Sequence, residues 1–325
     1  MSTHTVLFEL GTEELPAGEY EEMAHTLSSG MASGLEQQGL AIGEVKVFAT
    51  ARRLSVLIDN VQERADDSEQ EILGPPMAVA QADDGCWTPA AIGFAKKQGM
   101  NADELQVIGT ERGDRIGIRK VVKGASCANV LPAVVTQAVE SIPVSKRMRW
   151  GRERHEFLRP VQWLVLLYGT EVIVVSLFGL TSDRVSQGHR FHGKSSVRIH
   201  SADAYEETLR KQFVIASVDE RKALIKNQIE QLVSENERAI VDESLLSEVA
   251  GLVEWPVALR GGFDESFLSL PRQALISSMR EHQKYFHIES LDGGLIPSFI
   301  TISNIESKRP QSVIYGNEKV IHPRL

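Results

Sequence analysis

The pattern with the most direct chemical meaning is Gly188–Ser195, which matches the phosphate-loop pattern G-x-x-x-x-G-K-S. In a phosphate loop, backbone N–H groups of small residues surround the phosphates of a nucleotide between a strand and a helix. Here the inner positions are bulky, and the residues after Ser195 alternate as a strand does. The sequence therefore favours a structural loop, and a nucleotide enzyme that binds ATP through Lys194 is the alternative.

Two pairs of histidines, His189 with His192 and His282 with His287, raise the question of a metal site. Neither pair has the further carboxylate or cysteine ligands that would complete a set, so we expect surface or hydrogen-bonded histidines. The sequence does not assign them individual roles. The paired carboxylates Glu13–Glu14 have a spacing that can separate two pKa values for acid–base work. We expect them instead to interact with the dipole of the helix that follows.

The segment 145–198 differs in charge from the rest of the chain. It holds ten basic and four acidic residues, whereas the first 45 residues hold eight Glu and no Lys or Arg. Arginine binds phosphates through two hydrogen bonds and stacks on bases, and Trp150, Phe157 and Phe191 lie among these arginines. We predict that the segment contacts RNA or a partner protein, with a structural arginine cluster as the alternative. The predicted contact residues are Arg147, Arg149, Arg152, Arg154, Arg159, Arg190 and Lys194.

The composition is that of a globular protein. The 325 residues carry a formal charge of −9, with 42% apolar and 24% charged residues, which excludes a disordered or collagen-like chain. Two cysteines are too few for a disulfide framework or a four-cysteine zinc site. The longest apolar stretches are shorter than the ~20 residues that span a bilayer. We expect a cytoplasmic protein that binds neither membrane nor DNA.

Hydrophobic periodicity predicts three units along the chain. Residues 1–61 form a β-α-β-β module, whose helix is predicted from a closing glycine at position 39 and from the helical spacing of the apolar residues Tyr20, Met23, Leu27, Met31 and Leu35. Residues 62–200 form a central α+β domain with the basic segment. In this domain two apolar strands, Val161–Tyr168 and Glu171–Phe178, are expected at the centre of a sheet and joined by a two-residue turn. Residues 201–325 are helical first and then α+β, with a predicted strand at Leu295–Ser303. The predicted fold class is α+β, with several domains, mixed or antiparallel sheets and packed helices.

Several short segments occur together, in order, along the whole chain. They are Leu7–Pro16, Thr50–Leu54, Ala91–Ala95, Met148–Gly151, Phe157–Pro160, Gly188–His192, Val253–Pro256, Gly262–Pro271, Met279–Phe286 and Gly316–Glu318. In this order the sequence resembles the beta subunit of bacterial heterotetrameric glycyl-tRNA synthetase. The resemblance implies a part in the ATP-dependent attachment of glycine to tRNA(Gly).

The resemblance has further implications for partners and fold. In that family ATP and Mg bind to the separate alpha subunit, so we expect no catalytic residue, cofactor or metal in this chain. The expected partners are the alpha subunit and tRNA(Gly). The expected fold is similar to the tRNA-editing region of the phenylalanyl-tRNA synthetase beta subunit, and the chain is expected to end before the HD-type and anticodon-binding parts. A hydrolytic editing or deacylase-like module and a purely structural scaffold are the alternatives.

Overall fold

The computed structural model describes residues 2–82, 85–111 and 113–321, and in them the predicted α+β class with several antiparallel sheets and packed helices is confirmed. The strands are β1 Thr3–Thr12, β2 Val45–Thr50, β3 Arg53–Gln62, β4 Ser68–Pro76, β5 Gln106–Thr110, β6 Gly113–Val122, β7 Met148–Trp150, β8 His155–Phe157, β9 Val161–Tyr168, β10 Glu171–Val172, β11 Ser176–Leu177, β12 Leu180–Thr181, β13 Val185–Ser186, β14 Val197–Arg198, β15 Glu237–Ala239, β16 Val257–Gly262, β17 Phe286–Ser290 and β18 Leu295–Ser303.

Helices connect and cover these strands. The α-helices are α1 Tyr20–Gln37, α2 Met77–Ala80, α3 Pro89–Lys97, α4 Cys127–Glu140, α5 Tyr205–Arg210, α6 Val218–Gln231, α7 Glu243–Leu252, α8 Arg272–Ser277 and α9 Pro310–Ile321. Short 3₁₀-helices span Ala102–Glu104, Ala202–Ala204 and Glu265–Ser269, and a π-helix spans Ser278–Gln283. Over the described part of the chain, no helix is both long and apolar enough to cross a bilayer.

A five-stranded antiparallel sheet in the order β10-β9-β1-β3-β2 organises the first two hundred residues. Helices α1 and α4 pack on one face, where Phe8, Leu27 and Leu131 share a core. The segment 197–216 covers the other face, where Trp163 and Tyr205 are buried. Because both faces are covered, the strands are apolar at successive positions rather than at alternate ones.

The predicted β-α-β-β order of the first 61 residues is confirmed by β1, α1, β2 and β3. The apolar stripe of α1 is buried at Tyr20, Met23, Leu27, Met31 and Leu35. The helix is followed by a glycine at position 39 with φ of +75°, as expected for a residue after a helix C-terminus. Periodicity and the glycine therefore placed this helix correctly.

The predicted pair of central strands is only half correct. β9 lies inside the sheet beside β1, but the following strand, β10, has two residues and forms the sheet edge. The side chain of Ser182 accounts for the early end, because its Oγ donates to the Ile173 carbonyl and accepts from the Val175 N–H. These backbone groups are thereby satisfied outside the ladder, and the chain leaves the sheet.

The sheet crosses residue 61, because β9 from the predicted central domain pairs with β1. Residues 68–122 fold as a separate three-stranded sheet, β4-β6-β5, with α2 and α3 on it. The domain limits 1–61, 62–200 and 201–325 stay a prediction.

The last third of the chain has its own sheet, in the order β15-β17-β18-β16, with α6 and α7 packed on it. Arg221 of α6 joins this unit to the first sheet. Its guanidinium is fully buried and donates to the carbonyls of Ala49 on β2, Ala250 on α7 and Ile215. The contact fixes the helical unit against the edge strand of the first sheet.

Candidate nucleic-acid interface

Four of the predicted contact arginines lie on or beside one β-hairpin. Strands β7 and β8 pair antiparallel, with a turn at residues 151–154. Trp150 and Phe157 anchor the hairpin on Phe178, at ring-centroid distances of 5.9 and 5.6 Å. Because the anchoring rings point inward, the turn and the arginines remain in solvent. Those arginines are Arg147, Arg149, Arg152 and Arg154.

The charges on the hairpin are partly compensated. Arg149 forms an ion pair with Glu156 across the two strands. In the described residues, Arg147, Arg152 and Arg154 have no acidic partner within ion-pair distance. Three exposed guanidinium groups are therefore available for an external anion, which is the arrangement that phosphate contacts need.

Arg159 lies at the base of the hairpin, and its hydrogen bonds are to the protein itself. Its Nε donates to the Glu14 carbonyl at 3.1 Å and its Nη1 to the Leu158 carbonyl at 3.2 Å. The same Nη1 lies 3.3 Å from the sulfur of Met148 on β7. Arg159 thus connects the hairpin to the segment that follows β1.

The carboxylates Glu13 and Glu14 bind Arg190 and do not cap a helix. Arg190 Nη2 lies 2.9 Å from Glu13 Oε2, and Nη1 lies 3.0 Å from Glu14 Oε1. The expectation that these carboxylates interact with a helix dipole is wrong, because α1 begins at Tyr20, beyond the first-turn range of that effect. Arg190 and Arg159 consequently both contact Glu14, and the charge of Arg190 is largely compensated.

Residues 187–196 form a compact loop between β13 and β14. The Gly188 N–H donates to the Lys194 carbonyl at 2.7 Å, and the Gly193 N–H to the His189 carbonyl at 2.8 Å. The residues after the loop are the strand β14, so the phosphate-loop alternative is wrong for want of a following helix. Lys194 is exposed, and its backbone N–H donates to Gln212 Oε1.

The two histidines of this loop shape its backbone. His189 is buried, and its Nδ1 accepts the N–H groups of Phe191 and His192 at 3.2 and 3.3 Å. Burial lowers the pKa of His189. His192 stacks on His189 and its Nε2 accepts the Glu306 N–H. Across the residues that the structure describes, His, Cys, Asp and Glu do not form a group of three or more able to hold a metal.

A buried charge cluster that the sequence analysis did not find lies below this loop. Arg53 on β3 is 3.5 Å from Glu9 on β1 and 3.2 Å from Glu254, which follows α7. Glu9 also accepts hydrogen bonds from Trp163, Tyr205 and Ser186. Glu9 and Arg53 are charged residues at otherwise apolar positions of two predicted strands. This exception to the apolar pattern was the sequence signal that could have identified them.

The cluster is held together by the attraction between Arg53 and the two carboxylates, and it has a positioning role. Burial alone would lower the pKa of Arg53, but Glu254 and Glu9 outweigh it and raise the pKa. Arg53 Nη1 donates to Ser186 Oγ, and Nη2 donates to the Gln187 carbonyl at 3.0 Å. The cluster therefore holds the start of the loop that carries Arg190 and Lys194 against the end of β1.

The predicted contact residues fall into three places in the structure. Arg147, Arg149, Arg152 and Arg154 lie on or beside the hairpin, and Arg159 and Arg190 meet at Glu14. Lys194 lies in the same loop as Arg190, and its backbone N–H bonds to Gln212. The hairpin and the Glu14 site are adjacent through Met148, so six of the seven residues lie along one surface.

Comparison with known proteins gives one consistent result. A family model described as glycyl-tRNA synthetase beta subunit matches residues 6–325. The chain is 45% identical over 326 aligned positions to the glycine–tRNA ligase beta subunit of Chromohalobacter salexigens. It is 43% and 44% identical to the proteins of the same name from Pseudomonas syringae pv. tomato and Pseudomonas fluorescens. Each alignment covers 100% of this chain and 47% of the relative, so the chain spans about half the length of the curated relatives it matches.

These relatives are named as beta subunits of glycine–tRNA ligase, and such a ligase is an aminoacyl-tRNA synthetase. The match runs through the hairpin, the Glu14 site and the buried cluster, since all of them fall within residues 6–325. The chain belongs to the glycyl-tRNA synthetase beta subunit family.

Proposed function

We propose that the chain acts as part of the non-adenylating subunit of glycine–tRNA ligase, where it binds tRNA(Gly) and assembles with the alpha subunit. Membership of the beta subunit family supports the subunit role. The proposed site of tRNA contact is the hairpin surface with Arg147, Arg152 and Arg154.

The observation that carries the tRNA proposal is the state of these three arginines. They are exposed and lack an acidic partner in the described structure, unlike Arg149 and Arg190, which are paired. An unpaired guanidinium can bind a phosphate without first giving up an internal ion pair. The aromatic anchor of the hairpin fixes the backbone that carries them, which lowers the entropic cost of the contact.

The test is a comparison of salt dependence. The triple variant Arg147→Gln, Arg152→Gln, Arg154→Gln is measured for tRNA(Gly) binding by fluorescence anisotropy over a range of salt concentrations. Each phosphate contact contributes ~0.7–0.9 to the slope of log affinity against log salt. If all three arginines contact phosphates, the slope falls by about 2 to 3 units. We expect this fall, together with weaker binding at low salt.

A charge-matched control separates local contact from the general field of the protein. The triple variant Arg119→Gln, Lys120→Gln, Lys123→Gln removes the same charge from exposed positions on and after β6. We expect it to change the slope by less than about 1 unit. Equal effects of the two triple variants, or an unchanged slope in the hairpin variant, would refute the tRNA proposal.

The proposal for the holoenzyme has a separate test. The alpha subunit is proposed to bind ATP and Mg and to form glycyl-adenylate, while this chain supplies none of the reacting groups. Mixing the chain with the alpha subunit should give a complex on size-exclusion chromatography, with ATP binding found in the alpha subunit and absent from this chain alone. Failure to co-elute would remove the assembly part of the proposal.

Two further expectations stay predictions. One is the similarity of fold to the tRNA-editing region of the phenylalanyl-tRNA synthetase beta subunit. The other is a cytoplasmic location. The α+β architecture with a two-sided antiparallel sheet is compatible with the first.

A further inference from the structure

A second group of arginines lies about one buried carboxylate in the last third of the chain. Glu289 on β17 has a side chain that is 8% exposed. Its Oε1 pairs with Arg272 at the start of α8, and its Oε2 lies 3.3 Å from Arg238 on β15. His287, two residues earlier on the same strand, places its Nε2 3.3 Å from Glu289 Oε1.

A third arginine, Arg280, lies next to this group. It is carried by the π-helix, which is followed by Lys284 with φ of +60°. Arg280 Nη2 is 2.9 Å from Asp242 Oδ1, and its charge helps to lower the pKa of His287. A π-helix and a left-handed non-glycine residue are both costly, and such features occur frequently at functional sites.

Within the part of the chain that the structure describes, most of the N–H donors of these arginines have no partner. A guanidinium has five N–H donors, and Arg238 and Arg272 each use one of them on Glu289. The side chains of Arg238 and Arg272 are 65% and 50% exposed, so the remaining donors face solvent. Three arginines stand against two carboxylates, Glu289 and Asp242, which leaves a net positive charge before His287 is counted.

The buried carboxylate makes this a prepared site. Both oxygens of Glu289 are occupied, so the two guanidinium groups are held at one carboxylate, and their solvent-exposed edges carry N–H donors without another partner in the described residues. A tetrahedral oxyanion can accept from both edges at once, in the paired geometry that arginine favours with phosphate. Little side-chain entropy remains to be lost on binding, since the internal ion pairs have already restricted the two side chains.

We propose that Arg238, Arg272 and Arg280 bind a phosphate group on the solvent side of Glu289 and His287. The site is distinct from the hairpin surface and lies at the sheet β15-β17-β18-β16. The phosphate belongs either to the backbone of an RNA or to a small phosphorylated ligand, and the experiment below distinguishes these sources.

His287 provides a direct readout at the site. Burial lowers the pKa of His287, Arg272 and Arg280 lower it further, and Glu289 acts in the opposite direction. A bound anion favours the protonated imidazole, so it raises the pKa. The experiment follows the His287 ring resonances by NMR against pH in sodium chloride, in inorganic sulfate and in inorganic phosphate, at matched ionic strength. Sulfate serves as a dianion whose charge does not change over the titration.

We expect sulfate and phosphate to raise the pKa of His287 relative to chloride, and to do so saturably. In the double variant Arg238→Gln, Arg272→Gln, we expect anion binding to weaken at least tenfold and the anion-dependent shift to disappear. The control Arg119→Gln removes an exposed arginine from another ion pair and should leave the shift intact. Should the double variant unfold, Arg280→Gln serves in its place and should weaken binding about threefold or more.

Two results would overturn the proposal. One is a His287 pKa that is the same in chloride, sulfate and phosphate. The other is a saturable shift that survives in the folded double variant. A further measurement, of tRNA(Gly) binding by the double variant and by the control, then identifies the source of the phosphate. Weaker tRNA binding by the double variant than by the control assigns the site to RNA, whereas unchanged tRNA binding with lost phosphate binding assigns it to a small ligand. The hairpin triple variant tests the tRNA proposal separately, and its outcome does not depend on either of these results.

Discussion

The substitution Arg53→Met removes the positive charge that lies between the buried carboxylates of Glu9 and Glu254. Methionine occupies a similar length of the buried space, so the main change is electrostatic rather than a cavity. Breaking a buried ion pair by removing one partner costs about 3–5 kcal/mol, because the other charge stays buried without compensation. We expect a loss of this size in the free energy of unfolding at neutral pH.

The size of this loss depends on pH in a direction that Glu254 sets. Burial raises the pKa of Glu254, but Arg53 and the hydrogen bond from Thr50 outweigh burial and hold the pKa below its ordinary value. Such a carboxyl stabilises the folded state above its unfolded pKa of about 4.3, and this stabilisation is lost as the pH falls through the folded pKa. Without Arg53, burial raises the folded pKa. Protonation of Glu254 then removes the unpaired buried charge in the variant. The loss of unfolding free energy in Arg53→Met should therefore become smaller as the pH falls from about 7.5 to about 5.

Urea unfolding followed by tryptophan fluorescence measures the deficit, with Trp163 as one of four tryptophans that contribute to the signal. The Arg53 guanidinium lies 5.5 Å from the ring centre of Trp163, whose Nε1 donates to Glu9. The control Arg119→Met breaks an exposed pair with Glu71 and should cost less than about 1 kcal/mol. A deficit below about 1 kcal/mol for Arg53→Met, or one that grows as the pH falls, would refute the electrostatic reasoning.

Two further predictions concern the loop and the second sheet. Gly193→Ala should lower the thermal midpoint and loosen the loop, because the added Cβ would lie 2.6 Å from the Gln212 carbonyl oxygen, whereas Gly18→Ala meets nothing within 4 Å and should be neutral. Hydrogen bonds from Arg260 and the Ser234 N–H lower the pKa of Glu237 to about 2, so Glu237→Gln should lower the thermal midpoint near neutral pH. That difference should shrink as the pH falls from about 5 towards about 2, and a constant difference would contradict the assignment.

The elements that the sequence predicted well are those whose signal is local. The stripe of α1 and the strand Leu295–Ser303 are set by residues within one element, and the structure has them as expected. The buried charge cluster of Glu9, Arg53 and Glu254 could not be predicted from a local pattern. Arg53 and Glu254 are 201 residues apart, and their contact depends on how the unit after residue 200 packs against the first sheet.

The excess of basic residues in segment 145–198 overstated the positive charge that the folded segment offers to RNA. The excess of bases in 145–198 pointed to an RNA surface, but Glu13 and Glu14 lie in the acidic first part of the chain and fold back onto Arg190. Sequence distance conceals this compensation, since each pair spans more than 170 residues. Arg149 and Arg190 are paired with carboxylates, whereas Arg147, Arg152 and Arg154 keep their charge without an acidic partner in the described structure.

The hairpin arginines and the Glu289 group would contribute to anion binding in different ways. Arg147, Arg152 and Arg154 lack acidic partners in the described structure, so they act mainly through charge and lose rotamer freedom when they bind. Arg238 and Arg272 are already restrained by Glu289, so they offer fixed geometry at a lower net charge. Long-range attraction and salt sensitivity should therefore come from the hairpin, and discrimination among oxyanions by shape should come from the Glu289 group.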